Sequence, residues 1–409
     1  MATKQTGLSN ETLIVTTGCF STMASRFASP QVVLPWIYNL LGGPLILVGF
    51  LVPSIRLGGL LAQMMIIPGL LKLRTRKWAY VFSLLVSSAV LAFFALVLQE
   101  MGHVSSLIFF FLGLLLLGSS TGIAALSMQE VIAKTIPRDR VGRVLSLQVS
   151  FGGGVMLAVM LTGLIFFPDI ELDAHRYAMM GLAAIASALA AFAFMNVREP
   201  LSDVQGRKSA WSEIIAGWGL VRNVPWFRKF VLVRILFLSV GMATPFYSIH
   251  AAIEFSKTAH SLTAIVIASG FASMLSTAVW SKVLANTPRN ALFRSGILAA
   301  LAGLIVIIHE LRGAPHPLVF MLVFALLQLA VQGLTQATRT YLVFMCPEDE
   351  RPVYLAVGNA ILGIMAILFS GLIGVLAGSV HIYFALGLLI FLALLSSVST
   401  RLLDAPASQ

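Results

Sequence analysis

The sequence predicts an all-α integral membrane protein whose twelve transmembrane helices form two pseudo-symmetric six-helix bundles. Three observations predict it. First, 58% of the 409 residues are hydrophobic, only 11% are charged, and the mean hydropathy is +0.94. A soluble domain of this length needs far more charge to cover its surface. Second, one long polar stretch, Val197 to Lys229, interrupts the apolar chain near its middle. It carries Arg198, Glu199, Asp203, Arg207, Lys208, Glu213, Arg222, Arg228 and Lys229. Third, the apolar arms on either side match in their punctuation. The expected organisation is an N-terminal six-helix bundle (1–197), a cytoplasmic amphipathic linker (198–229) and a C-terminal six-helix bundle (230–409).

Crossing a bilayer takes about 20 mostly apolar residues per helix, and the hydrophobic runs between turn signals give twelve spans. Span 1 runs from Thr12 to Tyr38, span 2 from Pro44 to Leu71 and span 3 from Trp78 to Leu98. Spans 4 to 6 cover Ser106 to Lys134, Val141 to Phe167 and Tyr177 to Met195. Beyond the linker come Phe230 to Glu254, Leu262 to Val283 and Ala291 to Ile308, then Pro317 to Met345, Val353 to Ala377 and Ile382 to Leu402. Pro30 and Pro35 fall inside span 1, and a split there would add a helix and reverse every later loop. A single crossing is expected, because neighbouring helices satisfy carbonyls freed by proline and the charge distribution argues against reversal. Met1 to Glu11 is polar and no short apolar run ends in a small-residue cleavage site, so span 1 is expected to stay in the mature protein.

Lysine and arginine set the orientation. Lys72, Arg74, Arg76 and Lys77 cluster after span 2; Lys134, Arg138, Arg140 and Arg143 after span 4; Lys282, Arg289 and Arg294 after span 8. Of the 27 basic residues only Arg176, Lys257 and Arg312 fall in the opposite loops, where Asp169, Glu171 and Asp173 gather instead. Both termini are therefore expected in the cytoplasm. Short loops point to a bacterial inner membrane. The net charge of +11 and pI near 10.1 follow from this asymmetry, and nucleic-acid binding is not expected because no basic patch is interleaved with stacking aromatics. Cys19 and Cys346 lie in or beside apolar segments without metal-type spacing and read as core residues.

The halves repeat at an offset of 210 residues. Pro137-Arg-Asp139 after span 4 meets Pro347-Glu-Asp349 after span 10, each followed by arginine (Arg140, Arg351) and a glycine-bearing helix. Gly152 to Gly154 lie in one, and Gly358 and Gly363 in the other. A six-plus-six repeat about a cytoplasmic bridge suits alternating access by rocking. On these residues the chain resembles the major facilitator superfamily over essentially its full length. That family carries a glycine- and arginine-bearing motif between its second and third helices, which corresponds here to Gly69-Leu-Leu-Lys-Leu-Arg74-Thr-Arg76-Lys77. The family's usual acid falls at Leu73, so the motif is degenerate. The resemblance implies a gating and structural set of Gly69, Arg74, Arg76, Glu130, Arg140 and Arg351, with Glu130 pairing Arg74 or Arg76. The family's antiporter motif expects a proline beside the glycines of span 5, and none is present.

Charges within membrane helices mark function by default. Arg26 lies ~15–18 Å from the outer end of span 1 and Arg56 ~18 Å from that of span 2, so both are expected near the midplane. A planar guanidinium binds carboxylate or phosphate bidentately; equally, each arginine can bond carbonyls freed by a nearby proline. In span 10, Gln328, Gln332 and Gln336 recur every four residues and Arg339 nearly continues the stripe, a polar face turned to protein or cavity rather than lipid. Substrate binding is assigned to Arg26, Arg56, Gln328, Gln332, Gln336 and Arg339. No midplane Asp or Glu occurs, which argues against lipophilic cations, and His250 and Glu254 sit near the outer end of span 7. No catalytic motif, metal-ligand spacing or cofactor motif is present, so neither an enzyme nor a cofactor is expected. The expected function is secondary transport of a small organic solute, anionic by these arginines, through a monomer in the lipid bilayer. Efflux of amphiphilic compounds, and a non-transporting assembly or chaperone protein of the same fold, stay open as alternatives.

Overall fold

The computed structural model describes residues 9–65, 74–166, 172–201, 219–255, 259–313, 316–346 and 350–404. Among these residues fifteen α-helices follow in chain order: α1 Asn10–Phe27, α2 Val33–Leu40, α3 Leu45–Val48, α4 Leu51–Met65, α5 Lys77–Leu96, α6 His103–Thr135, α7 Arg138–Phe166, α8 Leu172–Met195, α9 Pro225–Leu236, α10 Leu238–Glu254, α11 Ala259–Asn286, α12 Pro288–Leu311, α13 Pro317–Met345, α14 Arg351–Ser379 and α15 Ile382–Ser399. Among the described residues there is no strand, and ten helical stretches are long and apolar enough to cross a membrane. Hydrocarbon offers no partner for a bare N–H or C=O, so helices are what such a sequence forms. The Trp211 to Trp218 part of the expected linker helix lies outside the described residues.

The expected continuous helix from Thr12 to Tyr38 is corrected to two. Ser9 caps α1, its hydroxyl accepting the Thr12 N–H at 3.2 Å, and α1 ends at Phe27. Pro30 supplies no N–H and disfavours helical backbone at Ser29. The helix restarts as α2, whose eight residues cover ~12 Å against the ~30 Å of a hydrocarbon core. The break therefore adds no crossing. The Val32 carbonyl at the break accepts the Ser248 hydroxyl at 2.6 Å, which is how irregular backbone is tolerated at membrane depth. Span 2 likewise divides into α3 and α4 at Gly49 and Phe50, and its end beyond Met65 lies outside the described residues.

The chain forms two compact units. One is built from Met1–Ser29, Ile55–Phe167 and Ala174–Arg207; the other from Pro30–Ser54, Pro168–Asp173 and Lys208–Gln409. In the first, α1 lies along α7, with Gln148 seated on Gly18 and donating to the Ile14 carbonyl at 2.9 Å. The core at one end gathers Leu13, Ile14, Tyr80, Leu84, Val131 and Phe194, with the Tyr80 and Phe194 rings 4.3 Å apart. α4 crosses α6 at glycine: a Cβ at Gly58 would overlap the Leu115 carbonyl, and one at Gly118 the Ile55 carbonyl. Ser119 closes the crossing with a 3.0 Å bond to the Gly58 carbonyl. Helix association in lipid gains little from hydrophobicity, so close backbone approach at small residues carries it.

The second unit packs α13 between α11 and α12. The Trp280 indole lies on Gly333 and donates to the Leu329 carbonyl at 3.0 Å. α2 packs on α10, and α3 on α14. Trp226 stacks on Tyr354 at 5.2 Å, docking the start of α9 on α14.

The α4–α6 crossing makes a contrast testable. Gly118→Ala must push α4 and α6 apart, and overpacking of this kind costs ~1–3 kcal/mol; its melting temperature in detergent should fall by several degrees. Gly163→Ala, where a Cβ meets nothing within 4 Å, should leave melting unchanged or raise it slightly. Equal behaviour of the two variants would refute the close-approach account.

Candidate functional site

Glu199 organises the charged end of the first unit. Its side chain is 0% exposed and forms an ion pair with Lys134 at the end of α6. Its Oε2 accepts the backbone N–H groups of Arg76 and Lys77, each at 2.7 Å. Those two amides head α5, and a carboxylate there satisfies unpaired donors and meets the positive end of the helix dipole. Lys77 completes the tie: its Nζ donates to the Met195 and Val197 carbonyls at 3.2 and 3.1 Å, closing the C-terminal end of α8. Asn10 and Arg198 exchange two further bonds of 2.9 and 3.0 Å. Four helix ends thus meet around one buried acid.

The second unit repeats the device with other residues. Arg289, at the start of α12, donates to the Leu403 and Arg401 carbonyls at 3.3 and 3.4 Å, just past α15. This is the role Lys77 plays at α5 towards the end of α8. Asp404 then pairs with Lys229 at 2.6 Å, and its carbonyl accepts the Tyr341 hydroxyl at 3.1 Å.

Of the expected gating set, Arg76 is buried and forms an ion pair with Glu130. Arg74 is exposed, and Gly69 lies outside the described residues. Arg140 pairs loosely with Glu11 at 3.5 Å, the side chains 58% and 32% exposed. Arg351 caps the end of α13, donating to the Cys346 and Val343 carbonyls at 3.2 and 3.0 Å, a cation meeting the negative end of a helix. Burial, reinforced by Glu350, pushes the Cys346 thiol up, which keeps it a protonated core residue.

Of the expected substrate set, Arg26 occupies the last turn of α1, ~24 Å along the helix from Asn10, and is half-buried. The break at Pro30 makes it a helix-end residue rather than a mid-helix one. Arg56 lies early in α4 and is exposed. At 100° per residue, it stands at the side of the Gly58 and Gly59 face turned to α6, ~60° round the helix from Gly59 and ~100–140° from the exposed Leu57 and Leu61. Among the described residues no acid forms an ion pair with it. On α13, Gln328 is buried, Gln332 and Gln336 are half-buried, and Arg339 is exposed. Gln332 reaches Ser273 of α11 at 3.5 Å, where Trp280 on Gly333 holds the two helices together. Exposed Thr335 joins Arg339 on the same face, so the stripe opens towards the C-terminal end of α13. Arg26 and Arg56 belong to the first unit and the α13 residues to the second.

Sequence reading did not assemble one cluster. His250 Nε2 lies 2.8 Å from Glu310 Oε1, the Tyr383 hydroxyl is 3.2 Å from Glu310 Oε2, and Glu254 joins them. His250 and Glu254 are four residues apart, which places them on one helix face. Glu310 lies sixty residues further on, and only the packing of α10, α12 and α15 reveals it.

Comparison with known proteins bears on all of this. The family model described as Major Facilitator Superfamily matches residues 14–309. An uncharacterized protein of Mycobacterium bovis is 23% identical over 293 residues, covering 69% of this chain and 56% of the relative, and one of Mycobacterium tuberculosis matches equally. The chain thus spans about half the length of the curated relatives it matches. Among solved structures, a D-xylose-proton symporter aligns over 97% of this chain and 98% of its own with a TM-score of 0.70 and 13% identity. The nucleoside transporter NupG aligns over 97% and 100% with a TM-score of 0.72 and 13% identity. At such identity the likeness is one of fold.

Truncating Glu199 separates buried from exposed ion pairs. Glu199→Ala strands Lys134 and two helix-end amides, and removing one partner of a buried pair costs ~3–5 kcal/mol. Arg140→Ala removes an exposed pair worth ~1 kcal/mol or less. Thermal unfolding in detergent should rank them in that order by a wide margin. A Glu199→Ala protein as stable as Arg140→Ala would contradict the role given to Glu199.

Proposed function

Because the chain belongs to the major facilitator superfamily, we propose that it is a secondary active transporter moving a small organic anion across the membrane by alternating access. One observation carries the anion reading. Arg56 is exposed on a mostly apolar helix, at the side of the Gly58 and Gly59 face that packs on α6 and ~100–140° round from Leu57 and Leu61. A guanidinium is expensive in hydrocarbon, so its side of the helix belongs against water or an anionic solute. Its planar fork suits a carboxylate or phosphate group. Arg26 is the second candidate cation for the solute in that unit, and Gln328, Gln332, Gln336 and Arg339 supply the polar surface of the other.

Transport of this kind needs units that move as bodies. The proposed bodies are 1–197 and 230–409, joined by a cytoplasmic linker over 198–229; the compact units differ from them chiefly in grouping Pro30–Ser54 with the C-terminal helices. The ties at the ends of α5 and α8, and of α12 and α15, support that reading because they hold helix ends within each unit. The pairing of Arg76 with Glu130, together with Gly69, Arg74, Arg140 and Arg351, forms the proposed gating and structural set. The proposed setting is a bacterial inner membrane with both termini in the cytoplasm, supported by the Lys and Arg distribution and the mycobacterial relatives. The chain acts as a monomer, without a catalytic step.

Thermal stability of the purified protein against organic anions, cations and neutral solutes tests the proposal. A ligand at a hundredfold excess over its dissociation constant stabilises the folded state by ~2.7 kcal/mol. An organic anion should raise the melting temperature of the wild type and lose that effect in Arg56→Gln. Stabilisation by lipophilic cations, unchanged in Arg56→Gln, would sink the anion reading and favour efflux of amphiphiles.

A further inference from the structure

The cluster at the far end of the second unit has the make-up of a metal site. α10 brings His250 and Glu254 in its last turn, α12 brings Glu310 in its last turn, and α15 brings Tyr383 in its first. One ligand atom from each of His250, Glu254 and Glu310 lies within 4.8 Å of the others. In a complete set with bonds of ~2.0–2.2 Å, such atoms stand ~3.3 Å apart, so modest side-chain rotation closes the site.

The burial is graded. His250 is 2% exposed, the Glu310 side chain 14%, and Glu254 is exposed. A cation arriving from water meets Glu254 first, then Glu310 and the imidazole behind it. The inner ligands are held in place: the His250 ring lies 5.9 Å from Phe320 and edge-on to Tyr383 at 5.6 Å. The Tyr383 hydroxyl orients Glu310 through its second oxygen, as outer partners of metal-binding carboxylates do. The other histidines on these elements are engaged elsewhere. His309 accepts the His316 N–H, and His316 and His381 accept the N–H groups of Leu318 and Tyr383.

We infer that His250, Glu254 and Glu310 bind a divalent transition cation at the end of the second unit opposite Lys229 and Asp404. One imidazole with two carboxylates is a donor set for Zn²⁺ or its close relatives rather than for Mg²⁺ or Ca²⁺, which take oxygen alone. Two negative charges balance the dication, and three protein ligands leave a position for water. The bound ion cross-links α10 to α12, with Tyr383 of α15 in support. The inference is independent of what solute the chain moves.

Co²⁺ reports directly, because its visible absorption depends on the ligand set. The full-length protein, purified with no histidine tag, is titrated with Co²⁺ and then with Zn²⁺. The expected result is one saturable equivalent of Co²⁺, displaced by Zn²⁺. Affinity should fall at least tenfold in Glu254→Gln and in His250→Asn, and about tenfold in Tyr383→Phe, the usual loss for an outer partner. Glu254 is exposed, so its variant keeps the fold even where His250→Asn does not. Absence of saturable binding to the wild type, or unchanged affinity in Glu254→Gln, overturns the site.

Discussion

A buried carboxylate at a helix N-terminus is the interaction on which the first unit depends. Apolar helices in lipid have no hydrophobic reason to prefer one neighbour over another, so their mutual placement falls to close crossings and to polar ties at their ends. Glu199 supplies such a tie, binding the first amides of α5 and the ammonium of Lys134 at once. Lys77 returns the favour to the end of α8. The arrangement joins helix ends that lie more than a hundred residues apart in the chain. The second unit reaches the same end with Arg289, Lys229 and Asp404. The residues differ between the units, and what they share is a cation at the start of one helix bonding the carbonyls at the end of another.

The crossings do the complementary work within the hydrocarbon. Gly58 on Gly118's helix and Trp280 on Gly333 bring backbones or rings together where any larger residue would separate them. They also fix what is left facing elsewhere. Arg56 stands at the side of the α6 contact, ~60° round the helix from Gly59. Gln332 meets Ser273 because Trp280 clamps α13 to α11. The candidate polar surfaces are thus by-products of packing, set by small residues a turn away.

Much of the fold was legible in the sequence, since hydropathy and the positive-inside asymmetry act on every residue of a long chain. The break in span 1 was visible as Pro30 but not its extent, because whether a proline kinks or ends a helix depends on what the surrounding structure offers the broken backbone. Here the Val32 carbonyl, ahead of α2, receives the Ser248 hydroxyl from over two hundred residues away. Glu130 was expected to pair with Arg74 or Arg76, and only the fold selects Arg76. Glu199 appeared in the sequence as one charge among many in a polar stretch; nothing local distinguishes a buried acid from a solvated one. The His250 and Glu254 pair was present at helical spacing, but its third member belongs to another helix. Local pattern finds faces, and tertiary packing decides which faces meet.

The central claim is that two bodies, each tied at its helix ends, carry a small organic anion by exposing their polar faces alternately to either side of the membrane. Counterflow in proteoliposomes addresses it most directly. Vesicles holding the purified protein are preloaded with an unlabelled anion that stabilises it, and uptake of the labelled anion is followed against empty vesicles. The account predicts saturable uptake accelerated by the preload, because unlabelled anion inside returns the carrier to the outer face and competes with the label for exit. Uptake equal to that of protein-free vesicles, with or without preload, would contradict it and leave a membrane protein that has the fold without the transport.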